Sequence, residues 1–518
     1  MAADETRNTM EKRSPTRALR HAVGVVIFLL LATALGCDIG DSGSGSGGLG
    51  SDGGGGTAGV GGTAKPGAGG AGGVGAMAGT GGVAGDPMLE VIELDPTFGD
   101  DGIRIFSILN SSWTSEGARA VAVMPDDRIV VAGTKHLSSF GPSYGFATLF
   151  GDDGLLDTSF GVDGDGVVHA IFDANTEISA VAVDSEGRIL LGGWSKSSSS
   201  SDPGALALAR YFADGTLDDS FGNDLNPTGV TRLSDPCAIR TTDIAVQADG
   251  RIVATGNACE WTERFSAVRL LSDGAPDESF GDGGVLLMEP GYSEQVLIST
   301  DGSGAARLLV GGSVGETGFD GNLDFAIAGV ADDGSPDTTF GTDGMVVTDF
   351  GDGSPGRSEG LSALALAPGG RILAAGWAQL LPNFSEPWVF AYDFLVTAYD
   401  EAGALDGSFG DGGSTLVDFG SDSEEAVEVL HRSNGNIAVV GQSLPKASER
   451  KVAIAHLSPD GTPVEGEHKV LTELEGAGLT AQGAILDNHG RLLVVGYVVY
   501  ESGGVDVFVA RYVFRELE

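Results

Sequence analysis

A short motif, Leu/Pro-Asp-x-Ser/Thr-Phe-Gly, recurs at intervals near sixty residues and confines the chain to a repeat architecture. It reads LDPTFGDDG at 94–102, LDTSFGVDGDG at 156–166, LDDSFG at 217–222, PDESFGDGG at 276–284, PDTTFGTDG at 336–344 and LDGSFGDGG at 405–413. Its aromatic residues, Phe98, Phe160, Phe221, Phe280, Phe340 and Phe409, are separated by 62, 61, 59, 60 and 69 residues. A period of this size means that each unit buries its apolar surface against its neighbours, not in a core of its own. The array fills most of the 518 residues, so one large domain is expected.

Within the second unit, the motif leads into the apolar run Val167–Phe172. Then come Ser179–Val183, the polar turn Asp184–Arg188, and Ile189–Gly193. Two β-prone runs around a short Gly-containing turn read as a hairpin. A variable loop, Trp194–Gly204, and a last run, Ala205–Tyr211, complete the unit. Four strands per sixty residues is the pattern of a propeller blade. The hairpin and the last run each occur seven times, the seventh hairpin being Ala484–Leu486 with Arg491–Gly496. Only six motifs occur, because Glu467 stands where the seventh Phe belongs. A closed ring accounts for both loose ends: the final run Val505–Tyr512 would abut the first motif at Leu94.

The units resemble the delta-60 repeat, LDxSFGxxG…DGrIvvaG…alaRynxDG, of bacterial secreted proteins. The resemblance implies an all-β, seven-bladed β-propeller of four-stranded repeats closed into a ring, and no established activity. Units are expected near 94–155, 156–216, 217–275, 276–335, 336–404, 405–462 and 463–518, within a domain spanning 87–518.

The N-terminal part has a different character. Arg7, Lys12, Arg13, Arg17 and Arg20 precede the apolar run Ala22–Leu35, which is short for a bilayer span and suits an export signal over 1–36. The following Cys37 gives the junction the look of a bacterial lipoprotein signal, although Ala34 and Leu35 stand in the reverse of the usual order. That resemblance implies a lipid on Cys37 and a place on a membrane of the cell envelope, at the outer surface or in the periplasm. Residues 37–86 are mostly Gly with scattered small residues. Such a segment buries too little apolar surface to offset its ordering entropy and reads as a flexible tether.

Charge narrows the partners. The chain carries 29 Lys and Arg against 73 Asp and Glu, a net charge of −44. Such a body repels nucleic acid and anionic lipid headgroups. The expected partners are a membrane through the lipid and a protein or polysaccharide at the envelope, with the chain itself a monomer.

Candidate chemistry is sparse. The motif Asp recurs, whereas a catalytic group is needed once, so its expected role is an Asx turn. The motif Phe is expected to wedge between blades. Asp-Gly clusters such as Asp163–Gly166 suggest calcium, the one cofactor considered, but lack the EF-hand spacing. No His pair, nucleophile elbow or phosphate loop is present. No catalytic or metal-binding residue is therefore assigned. Cys237 and Cys259 flank the hairpin of the third unit and are expected to form a disulfide under oxidising conditions, the alternative being two buried thiols. Loops between the third and fourth strands of the units all emerge on one face and differ in every unit. The longest carries Trp377, Phe384, Trp388, Phe390 and Tyr392 as a ligand-facing surface. The expected function is non-enzymatic: a lipid-anchored binding scaffold. The alternative is a propeller enzyme acting on polysaccharide or another envelope substrate, with carboxylates near the central channel.

Overall fold

The computed structural model describes residues 90–516 apart from 109–114, 137–140, 200–201, 223–228, 235–238, 259–263, 316–322, 351–357, 380–390, 422, 445–448 and 465–467. Every regular element among them is a β-strand, and the strands form seven four-stranded antiparallel blades arranged in a ring. Blade 2 is representative. Its strands a to d are Asn175–Val183, Ile189–Lys196, Ala205–Tyr211 and Val230–Leu233, paired in that order. Strand a of each blade touches strand a of both neighbours all the way round, Ala477–Leu486 of blade 7 meeting Ser115–Val123 of blade 1.

The sequence unit and the blade are out of step by one strand. Val230–Leu233 follows the Phe221 motif, yet it pairs with Ala205–Tyr211 before that motif, from Val230 opposite Ala209 to Leu233 opposite Leu206. Each unit thus begins with the outer strand of the preceding blade. The offset dictates ring closure. Ile103–Phe106, after the first motif, supplies strand d of blade 7 by pairing with Val505–Glu516, Ile103 opposite Ala510. Glu90–Leu94 extends the same partner, Leu94 opposite Tyr512.

Strands b and c are covered on both faces by adjacent blades; Ala205–Tyr211 and Ile437–Ser443 are buried at every position. Strands buried on both sides lose the polar alternation of a half-exposed sheet, hence the unbroken runs such as IVVAG and ILLGG. The final Gly of those runs has a specific cause. Strand a bulges opposite it, as between Ile178 and Ala180 in blade 2. A Cβ at Gly193 would overlap the carbonyl oxygen of Glu177, and Gly133, Gly256, Gly312, Gly376, Gly441 and Gly496 each meet a carbonyl in the same way.

The motif builds the seams between blades. Asp218 Oδ1 accepts bonds from the backbone N–H (3.0 Å) and hydroxyl (2.5 Å) of Ser220, while the Phe221 N–H donates to the Asp218 carbonyl at 3.0 Å. Asp218 Oδ2 takes the Arg210 guanidinium at 2.8 Å, and that guanidinium lies 4.7 Å over the Phe221 ring. Burial works against ionisation of Asp218, but the bonds from Ser220 and Arg210 outweigh it and hold the carboxyl below its ordinary range. Phe98, Phe160, Phe221, Phe280, Phe340 and Phe409 are all buried, and five of them lie under an Arg. The Gly after each Phe donates its N–H to the next blade: Gly222 to Asp273 and Gly410 to Asp460, for example, at 2.8 and 2.7 Å. Each buried ring contributes about 2–3 kcal/mol by area, and its cation–π contact about 1 kcal/mol more.

The seam between blades 6 and 7, where the seventh Phe is replaced, is assembled from other parts. Arg432 donates from both terminal nitrogens to Glu90, at 2.6 and 2.7 Å, and lies 3.4 Å over the ring of Phe514. Asn436 Nδ2 donates to Glu90 at 3.2 Å, and His456 Nε2 lies 3.3 Å from it. Guanidinium, ring and carboxylate are again together, with ring and carboxylate drawn from the two ends of the propeller.

Candidate functional site

Because strands alternate in direction, a–b hairpins and motifs lie on one face of the ring, and b–c loops and d–a connections on the other. The sequence-nominated aromatic loop is the b–c loop of blade 5, on this second, variable face. Trp377 and Tyr392 stand at its two ends, half-buried, their rings edge to face at 5.1 Å between centroids. Trp377 lies over Gly360, where a Cβ would strike the indole. Phe384, Trp388, Phe390, Cys37, Cys237, Cys259 and Glu467 lie outside the described residues. The six motif Phe side chains face seams and reach no surface.

Two acidic trios lie on the same face and were not singled out in the sequence. Asp393 follows Tyr392 directly on strand c, Asp418 lies one residue past strand d (Ser414–Val417), and Glu424 opens strand a of blade 6. Their carboxylate oxygens lie within 4.8 Å of one another. Asp324, Asp349 and Glu359 form the equivalent group between blades 4 and 5, their oxygens also within 4.8 Å of one another. Glu424 and Glu359 are buried, Asp418 and Asp349 exposed. Burial first, and then the neighbouring Asp393, push the Glu424 carboxyl up to about 7. Burial raises Asp393 and Asp324 as well, helped by Asp418 and Asp349 respectively. Between blades 6 and 7 the corresponding place is a simple ion pair, Lys451 to Glu473 at 2.6 Å. The spacing that joins the trios, Asp324 to Asp393 and Asp349 to Asp418, is the long step of the fifth unit. Among 73 acidic residues, most of them in turns, it gave no distinct signal.

A second group faces the ring axis. Past the bulge of strand a, Asp243 accepts the Val296 N–H of the next blade at 3.0 Å, and the Gln295 side chain accepts the Leu364 N–H of the blade after that. Gln295 Nε2 donates to Glu428 Oε1 at 3.4 Å across the tunnel. Surrounded by protein yet half-exposed to the tunnel, the carboxyls of Asp243, Glu294 and Glu428 are pushed up to about 6, 7 and 8, burial being the main cause in each. Glu428 and Asp243 thus both face the axis, with Glu428 raised the further of the two. Elsewhere, a cleft of about 910 Å³ lined by Leu286, Met288, Met345 and Val347 lies between the outer strands of blades 3 and 4, away from both groups.

One family comparison agrees with the fold. Residues 185–221 and 247–280 match a family described as "Domain of unknown function (DUF5122) beta-propeller". The chain is a β-propeller repeat protein. No curated protein matches it. Among solved structures, a protein of unknown function from Dyadobacter fermentans is 11% identical, with a TM-score of 0.39, over 80% of this chain and 100% of its own. A polysaccharide lyase described as a PL25 ulvan lyase is 10% identical, with a TM-score of 0.44, over 80% and 98%. A glucose dehydrogenase is 11% identical, with a TM-score of 0.33, over 79% and 99%.

Proposed function

We propose that this chain is a non-enzymatic binding propeller of the delta-60 type. It is exported by the signal over 1–36, anchored by a lipid on Cys37, and held off the membrane of a bacterial cell envelope by the Gly-rich stretch over 37–86. It engages a protein or polysaccharide through its variable-loop face. One observation carries the reading. The repeated Asp, Phe and Arg side chains are consumed in the seams, while the Trp377–Tyr392 pair and both acidic trios gather on one face of blades 4 to 6. Variable loops on a rigid scaffold are where recognition concentrates. The aromatic pair supplies apolar contact, and the carboxylates set orientation.

The test replaces residues 380–390 with a short Gly-Ser linker in the full chain. Binding to envelope protein and polysaccharide fractions should fall at least tenfold while the melting temperature stays within 2 °C, and undiminished binding refutes the reading. A second reading, an acid–base enzyme working at the axis, draws on the split between Glu428 and Asp243, since carboxyls whose pKa values are pushed apart are what hydrolytic chemistry uses. Turnover on a glycan panel that disappears in Glu428→Gln would replace the first reading with this one.

A further inference from the structure

We propose that Asp393, Asp418 and Glu424 form a divalent-cation site, best suited to calcium, on the seam between blades 5 and 6. It stands independently of the binding function above. The first observation is convergence: three carboxylates from three separate strands or their ends bring oxygens within 4.8 Å of one another. Oxygens this close can share one cation, and calcium, which takes about six to eight oxygens in flexible geometry, suits three carboxylates better than magnesium, which demands a near-ideal octahedron. An all-oxygen donor set, with no His or Cys, selects hard cations over zinc or copper.

The second observation is a buried carboxylate oxygen with no donor. Glu424 is 0% exposed, and its Oε1 accepts the Ser421 N–H at 2.7 Å. Its Oε2 is fully buried, receives no hydrogen bond from any N–H or hydroxyl donor and faces the Asp393 carboxyl, itself only 7% exposed. A carboxylate oxygen buried against another carboxylate needs a proton or a cation between them. The basic group in reach, Lys469, does not fill that place: its ammonium donates to the backbone carbonyl of Asp418. Asp418 accepts the Gly420 N–H at 2.5 Å and is exposed, leaving an open side through which an ion enters and water completes its shell. The trio between blades 4 and 5 repeats the composition, but its carboxylates make further interactions, so the assignment rests on the trio at Glu424.

The site belongs to the weaker calcium class, with Kd of about 0.1–1 mM, as for extracellular modules. Chelator-treated full chain is titrated with CaCl₂ by calorimetry at pH 7, and with TbCl₃ by luminescence excited through Trp377 and Tyr392. Calcium should bind with a saturable, one-site isotherm, and calcium should displace terbium competitively. Glu424→Gln and Asp393→Asn should each raise Kd at least tenfold with circular dichroism and melting temperature preserved, while Glu359→Gln leaves this step unchanged. Two outcomes overturn the proposal: no calcium binding up to 10 mM in the wild type, or affinity unaltered in Glu424→Gln. If Glu424→Gln alone fails to fold, Asp418→Asn, altered on the exposed side, carries the same test.

Discussion

Replacing Glu90 with Ala tests how the ring is closed. Glu90 is the carboxylate of the irregular seam, clamped by both terminal nitrogens of Arg432 at 2.6 and 2.7 Å, with both side chains largely buried. Burial opposes ionisation of Glu90, but Arg432, together with His456 and Asn436, outweighs it and holds its pKa below the ordinary value. Removing one partner of a buried pair costs about 3–5 kcal/mol, mainly because the other charge is left uncompensated. Arg432 keeps its contact with Phe514 and a little solvent, which places the expected loss at about 2–4 kcal/mol. The loss is local, since among the described residues Glu90–Leu94 pairs only with the end of Val505–Glu516. Amide hydrogen exchange between Tyr512 and Glu516 should therefore accelerate about 30- to 1000-fold, with blades 2 to 4 unchanged. In the double variant with Arg432→Ala the two effects should fall short of additive by about 2 kcal/mol. Exchange altered less than threefold, or altered equally in every blade, refutes the clasp.

Other consequences can be measured alongside. Burial, ahead of the neighbouring Arg432, depresses His456 to about 4 from an ordinary 6.5. The unfolded chain therefore takes up a proton first as pH falls, and stability should decline between pH 6.5 and 4 by up to about 3 kcal/mol. Melts at pH 7, 5 and 4 should show this slope, and His456→Gln should flatten it. Glu428 has the opposite sign: raised to about 8, its carboxyl costs stability as pH rises from 4.5 toward 8. Glu428→Gln should raise the melting temperature at pH 8 and leave it unchanged at pH 4. Phe221→Ala should cost about 3–5 kcal/mol of unfolding free energy in denaturant titrations, whereas Phe212→Ala, at a position 44% exposed, should cost under 1 kcal/mol. Gly193→Ala should destabilise by more than 2 kcal/mol because its Cβ meets the Glu177 carbonyl, while Gly407→Ala, which meets nothing, should be neutral or slightly stabilising.

The scaffold was legible because its physics repeats. Every seam needs a turn, a wedge and a close-approach glycine, so Asp218, Phe221 and Gly193 have counterparts around the ring, and seven hairpins count seven blades. The one-strand offset was hidden because pairing partners such as Val230 and Ala209 lie on opposite sides of the motif, and spacing alone does not say toward which neighbour a strand turns. The substitute seam was hidden as well: Glu90, Arg432 and Phe514 meet through chain ends more than 300 residues apart and match no repeat position. The trios at Glu359 and Glu424 escaped notice because each draws single carboxylates from three strands, and nothing local distinguishes Asp393 or Asp418 from a turn aspartate. Periodicity reports what is shared between units, whereas sites are made where units differ.

The claim that recognition belongs to the variable-loop face is tested most directly by site-specific photo-crosslinking in the full chain. A photoreactive residue is placed at Tyr392 on that face, or at Glu186 in the a–b hairpin of blade 2 on the opposite face, and each protein is irradiated with intact envelope fractions. The account predicts one dominant, saturable adduct from position 392 and none from position 186. A specific adduct from position 186 with none from position 392 would contradict it.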